Sequence, residues 1–224
     1  MHDYPHILSD VYKQTILLCS GLTYPHIITC NILSQEFVAM ASAQLGEKEK
    51  AVMEEGMKDA KNFIMTNNIS NNQIQAMAVV SIRSSFGQRM RSYRNHSWIG
   101  TFMARLPEFI NGGDGAVFAH KGSKAALLYG LDLDASPLAL GWILAWSKPD
   151  TPGEPNRVYV QGGLLERLLK TDWSEIEQKL DKSSDYSQHW DTESGATLTA
   201  RISDDSEKVA IVNSTFSINS PGGP

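Results

Sequence analysis

Two histidines, His96 and His120, fall in strand-like stretches, where an imidazole can serve as general base to a nearby hydroxyl. Neither stands beside a nucleophile with a recognisable signature: the chain has no Gly-x-Ser-x-Gly elbow and no Walker loop. Asp181, Asp185, Asp191 and Glu193 are numerous enough for paired acid–base work. They sit among Ser and Lys in a stretch that reads as solvated, where nothing would keep one carboxyl protonated. The six histidines, at 2, 6, 26, 96, 120 and 189, lack ligand spacing, so neither a zinc site nor any other cofactor is expected. The run Asn111-Gly112-Gly113-Asp114-Gly115 joins strand to strand and opens no helix, which makes it a turn rather than a phosphate cradle. These residues argue against an enzyme and for a binding protein.

Binding chemistry has better candidates. Trp98, Phe102, Tyr129, Trp142, Trp146, Tyr159, Trp173 and Trp190 are spread over the β-rich part of the chain, most of them expected in its core. Trp98, Tyr186 and Trp190 stand beside polar turn residues and are expected to be partly exposed. Such rings suit a membrane interface, a choline group or a sugar face alike. The sharpest local feature runs from Gly141 to Pro149 and, after a Pro/Gly-rich gap, from Asn156 to Val160. It reads as a hairpin whose first strand buries Trp142 and Trp146, four residues apart and so on one face. Ser147-Lys148-Pro149 lies at that strand's exit, where a loop presents polar groups to a ligand.

The elements that must position these groups are short strands. Strands are expected at 75–83, 97–104, 115–120, 125–130, 140–147, 157–161, 196–202 and 209–217, with Lys121-Gly122-Ser123 as one of the breaks. An amphipathic helix starts near Gln44 and ends near Asn67-Asn68. Its stripe (Leu45, Val52, Met53, Met57, Ala60, Phe63, Ile64) suits packing on the domain, with membrane insertion as the sharper alternative. A second helix, 172–181, starts on an Asp172 cap. The expected fold is mainly β, a β-sandwich with two peripheral α-helices, over residues 40–218. Residues 219–224 read as a frayed tail.

Residues 1–39 differ: rich in Ile, Leu, Tyr, His and Cys, nearly free of charge, interrupted by Pro25 and His26, and without the basic start or cleavage site of a signal peptide. A flexible extension, an atypical targeting segment and a leader upstream of a start at Met40 are all open, the last preferred. No spanning helix is expected, and the chain is assigned to the cytoplasm or a membrane periphery, with secretion open. Both cysteines, Cys19 and Cys30, lie in this part, and three sequons stand at Asn68, Asn95 and Asn213. The 224 residues carry a net charge of −5, and the pI near 5.7 excludes nucleic acid as the default partner. The charge is uneven, however: no Asp or Glu occurs from Lys61 to Pro107, where six cations fall, and acids dominate after Glu166.

Trp98-x-Gly100, Leu106-Pro107, Ile110-Asn111-Gly112-Gly113-x-Gly115, Phe118-x-His120, Trp142-x-Leu144-Ala145-Trp146-Ser147-x-Pro149 and Asn156-Arg157-Val158-Tyr159 follow one another in an order that resembles the jasmonate-induced proteins of plants. It is similar also to their fungal relative nakanori, a sphingomyelin–cholesterol binder. The resemblance covers roughly residues 45–217. It implies the fold of the actinoporins, membrane-binding β-sandwiches flanked by helices. It also sets Ser147 and Pro149 where those proteins hold a phosphocholine group, with Val117 near a valine that lines the same pocket.

The departure lies in the loop that follows. Actinoporins crowd it with Tyr and Trp, whereas here it is Asp150-Thr151-Pro152-Gly153-Glu154-Pro155. The resemblance therefore implies a membrane-lipid binder without lysis, its ligand held by Ser147, Pro149, Val117, Trp98 and Tyr159, with support from the arginines between 83 and 105. The alternative is a stress-induced protein with a carbohydrate or protein partner and no membrane role; a fold whose ligand site has decayed is the third. Oligomeric state is left open.

Overall fold

The computed structural model describes residues 50–69, 75–131, 139–151 and 153–218. The expected extension 1–39, the start at Met40, both cysteines and the tail 219–224 lie outside these residues.

A helix, α1, runs over 50–66. The strands are β1 (Met77–Ser84), β2 (Met90–Phe102), β3 (Phe109–Ile110), β4 (Gly115–Leu131), β5 (Leu140–Ser147), β6 (Arg157–Leu164), β7 (Tyr186–Trp190), β8 (Ala196–Asp204) and β9 (Val209–Ile218), with α2 (Leu165–Leu169) and α3 (Trp173–Asp181) between β6 and β7. They form one mixed sheet in the order β3-β2-β4-β1-β9-β8-β7, from which β5 and β6 branch off β4. All pairs are antiparallel except β1 with β9.

β4 makes the sandwich. Its first half pairs β1 and its second half pairs β5, so the sheet forks along one long strand. Phe118 and His120 point into the core before the fork; Ala125, Leu127 and Tyr129 do so after it. The inward parity has changed by one residue, which is what a bulge does. Gly122 (φ +130°) and Gly100 of β2 (φ +115°) face each other there, and a Cβ on either would strike the other strand's backbone. The expected break at Lys121-Gly122-Ser123 is thus a bend inside one strand. A glycine at positive φ marks either, and sequence does not tell them apart.

The two halves meet face to face: Trp142 of β5 stacks on Phe216 of β9 at 5.8 Å and 8°. Trp142 and Trp146 are both fully buried, on one face as their spacing requires. Outside the first half, Ala60 and Ile64 of α1 pack on Met77, Val79, Ala119, Val209 and Ile211. Outside the second, Leu165, Leu168, Ile176 and Leu180 of α2 and α3 cover Ala126, Leu128, Ile143 and Ala145. Full burial of one such aliphatic side chain is worth about 1.5–3 kcal/mol, which exceeds any intrinsic preference of a five-residue helix such as α2. Asp172 caps α3 as expected, accepting the Ser174 N–H at 2.9 Å.

Three elements go beyond the expectation. β3 and α2 are too short to leave a period. β7 lies in the acid- and serine-rich stretch read as solvated; it is an edge strand whose Tyr186, Gln188 and Trp190 face outward, so its alternation carries no apolar signal. β2 also starts seven residues before the expected 97; its residues 91–96 are polar or half-buried and carry no apolar alternation either.

Candidate functional site

Lys124 of β4, Ser147 of β5 and Arg157 of β6 stand in one cross-strand row: Lys124 pairs with Ser147, and Ser147 with Arg157. Directly opposed residues share a face. Because Trp146 and Val158 point inward, Ser147 and Arg157 point outward, at the end of the hairpin near Asp181, the last residue of α3. They open into a pocket of about 510 Å³, with Pro149, Glu154 and Ile99 among its walls. Lys148, between Ser147 and Pro149, turns the other way and is buried, its Nζ 2.9 Å from Asp204 Oδ1. Its backbone N–H donates to the Ser123 carbonyl at 2.7 Å, which fixes the strand's exit.

The two cations of the row differ. Lys124 Nζ donates to Asp181 at 2.6 Å and Glu177 at 2.9 Å, tying α3 to β4. Burial works against its charge, but the two carboxylates outweigh it and hold the ammonium above the ordinary lysine value. Arg157 Nη1 donates to the Ser183 carbonyl at 2.6 Å, and among the described residues no carboxylate lies within ion-pair distance of it. Its remaining N–H groups are available to an anion. Asp150, Glu154 and Asp181 also line it, so the pocket presents both signs of charge.

A second groove of about 610 Å³ shares Pro155 and Arg157 with the first and extends past Asn156, Asp185, Arg201 and Asp204. Burial works against the charge of Asp204, yet hydrogen bonds from Asn156 and Lys148 hold its carboxyl below the usual range.

Of the residues singled out from sequence, Ser147 and Pro149 line the first pocket together. Trp98 stands behind it, half-buried, with Lys124 Nζ 5.8 Å from its ring centre and Trp173 edge-on at 6.4 Å. Tyr159 lies beside α3, its hydroxyl donating to Gln161 at 3.0 Å and Lys179 5.9 Å from its ring centre. Val117 packs at the edge of the α1 cluster, on the other half of the sheet. The arginines between 83 and 105 do not gather at the pocket: Arg83 pairs with Glu55 and Asp59 of α1, Arg89 lies over Phe109, and Arg94 donates to the Leu169 and Thr171 carbonyls. Lys124 and Arg157 were legible as cations but not as site residues, because only register across three strands brings them to Ser147.

His120 does have a hydroxyl partner, Ser97, at 2.6 Å. Ser97 Oγ also lies 2.8 Å from the Gly100 carbonyl, so the hydroxyl has a second acceptor within reach, and which of Ser97 and His120 Nε2 donates to the other depends on the imidazole tautomer. Burial lowers the imidazole pKa to about 4, and Phe102 and Trp146 pack edge-on against the ring. The pair braces the bend at Gly100 and Gly122. Among the described residues no group of His, Cys, Asp or Glu is arranged to hold a metal ion, and no helix is long and apolar enough to cross a membrane.

No protein-family profile matches the sequence. The fold is similar to that of the lipid-binding protein nakanori, with a TM-score of 0.58 at 16% identity over 78% of this chain and 85% of that one. A lectin of Xerocomus chrysenteron is more distant, with a TM-score of 0.41 at 11% identity over 62% of this chain and 99% of that one. In sequence, the jasmonate-induced protein homolog of Atriplex canescens is 30% identical over 175 residues, 73% of this chain and 91% of the relative. The chain belongs to the jasmonate-induced protein family.

Proposed function

We propose that this protein is a non-enzymatic membrane-lipid binder that takes a phosphocholine headgroup into the pocket at Ser147, Pro149 and Arg157, on membranes of sphingomyelin and cholesterol. The observation that carries the reading is the pairing of Ser147 with an Arg157 that has no carboxylate partner among the described residues, in a pocket also lined by Asp150, Glu154 and Asp181. A phosphodiester between a serine hydroxyl and a guanidinium gains charge-assisted hydrogen bonds. A quaternary ammonium on the same headgroup then meets the carboxylate of Glu154, where a cage of aromatic rings is missing; Asp150 and Asp181 are already held by Lys208 and Lys124. The lipid-binding description of nakanori, whose fold is similar, supports the same reading.

Binding without lysis follows from α1. A helix that lines a pore must first leave the sandwich. Here Gly56 sits so close to Asn213 that no side chain fits between, Asn213 donates to the Met53 carbonyl, and Arg83 is tied to Glu55 and Asp59. The competing reading, a stress-induced protein that binds a carbohydrate, draws on the second groove, whose Asn156, Arg201 and Asp204 offer donors and acceptors suited to hydroxyl groups.

Co-sedimentation of the full chain with vesicles separates the two. Pelleting that requires sphingomyelin, with no release of an entrapped dye, supports the proposal. Retention on a glycan array with no pelleting on any lipid composition supports the carbohydrate reading instead.

A further inference from the structure

The loop after Pro149 has no aromatic side chain to offer a bilayer, and Asp150 within it is occupied by Lys208 at 3.1 Å and by the Ala76 N–H at 2.8 Å. A different segment beside the same pocket has the opposite character. From Ile99 to Arg105 every residue but Phe102 is exposed. Ile99 and Met103 are among the most exposed large apolar side chains of the described residues, at 57% and 55%. Phe102 turns inward between them, 5.0 Å from His120 and 6.2 Å from both Phe118 and Trp146, centre to centre. The segment is therefore a fixed edge of β2 and its exit, with its apolar tips held outward.

Away from the pocket acids, the charged side chains flanking this edge are cations. Arg105 is exposed at the end of the segment, and Lys121, paired with Thr101, is exposed beside it. The sequence has no acid between Lys61 and Pro107. Arg83, Arg89, Arg91 and Arg94 in the same stretch are engaged with carboxylates, aromatic rings or carbonyls elsewhere, and Lys124, opposite Ile99, is held by Glu177 and Asp181; among the described residues this leaves Arg105 and Lys121 as the cations of this edge without a carboxylate partner. Ile99 also lines the headgroup pocket, so the edge and the pocket are continuous.

We infer that the 99–105 edge is the surface on which this protein meets the bilayer: Ile99 and Met103 enter the interface, and Arg105 and Lys121 meet the lipid phosphates. The inference rests on the headgroup reading above and adds to it the face that docks. Isolated apolar tips gain free energy only where they leave water, and cations at their flanks complement the phosphate layer of a membrane. A headgroup seated at Ser147 and Arg157 has its lipid backbone beside Ile99, so pocket and edge act on the same molecule.

Two probes test this on the full chain: soluble phosphocholine, followed by calorimetry, and vesicles of sphingomyelin and cholesterol, followed by co-sedimentation. Ile99→Ser with Met103→Ser is expected to leave phosphocholine affinity unchanged and to weaken vesicle partitioning on the order of tenfold or more. Arg105→Gln with Lys121→Gln is expected to weaken it less, and to flatten its dependence on salt. Both pairs are exposed, and an unchanged melting temperature shows that the variants fold. Unaltered vesicle binding in the serine pair, with phosphocholine still bound, overturns the docking edge and leaves the headgroup pocket standing. Absence of phosphocholine binding by the wild type, with vesicle binding lost in the serine pair, overturns the pocket and leaves the edge. If the wild type binds neither probe, both fall.

Discussion

Ser147 and Arg157 stand directly opposite each other on β5 and β6, and the guanidinium is tethered to the protein by a backbone carbonyl rather than by an acid. That tether orients Arg157 without neutralising it. The pocket thus has a positive charge held in place before any ligand arrives, the condition under which a charge-assisted hydrogen bond is worth most.

Arg157→Gln is expected to weaken phosphocholine binding by about 1.5–3 kcal/mol, the usual worth of a hydrogen bond to a charged group. Arg157→Lys should recover only part of this, since an ammonium cannot both hold the Ser183 carbonyl and offer a planar fork to phosphate. Calorimetry of the two variants checks it. The fold should survive in both, because Lys124 still fastens α3 through Glu177 and Asp181.

Ser147→Ala with Pro149→Ala is expected to reduce the same affinity with an unchanged circular dichroism spectrum, since neither side chain is in the buried core. Equal affinity in the double variant and the wild type would remove this pocket as the site.

Trp142→Ala should behave in the contrary way. Its ring is fully buried and stacked on Phe216 and on Phe86, so truncation is expected to cost roughly 3–5 kcal/mol of stability. Urea unfolding reads this directly; a loss under 1 kcal/mol would mean that the two halves of the sheet do not meet there as described.

Stability should also fall with acid in a window set by His120. Its pKa in the fold is about 4 against 6.5 for a free imidazole, so between these values the unfolded chain takes up a proton that the fold refuses. The stabilising difference is complete above pH 6.5 and declines as pH falls toward 4, by about 3 kcal/mol in all. His189, whose pKa burial also lowers, adds to the trend in the same direction. Urea midpoints measured from pH 7.5 to 4 should therefore drop, and drop less in His120→Asn. An identical slope in that variant would show that His120 is not the group responsible.

Much of this architecture was legible in the sequence where burial leaves a period. The limits of β5, Leu140–Ser147, match the expected 140–147, because a strand buried on both faces is a continuous apolar run bounded by turn formers. The packing role of α1 was equally legible from its stripe. β7 and the first half of β2 were not: their residues are mostly polar and exposed or half-buried, and their pairing comes from neighbours distant in the chain. The site shows the same division. Ser147 and Pro149 belong to a local motif, whereas Lys124 and Arg157 reach them only through the register of β4, β5 and β6. Val117, aligned by resemblance alone, lies against α1 instead.

The most direct measurement is a titration of the isotope-labelled full chain with soluble phosphocholine, followed by amide chemical shifts. The account expects saturable shifts centred on Ser147, Lys148 and Arg157, fading toward Tyr159 and absent around Val117, and their loss in Arg157→Gln. Shifts confined to the groove of Asn156, Asp185 and Arg201, or no shifts at all, would contradict a headgroup site at the end of this hairpin.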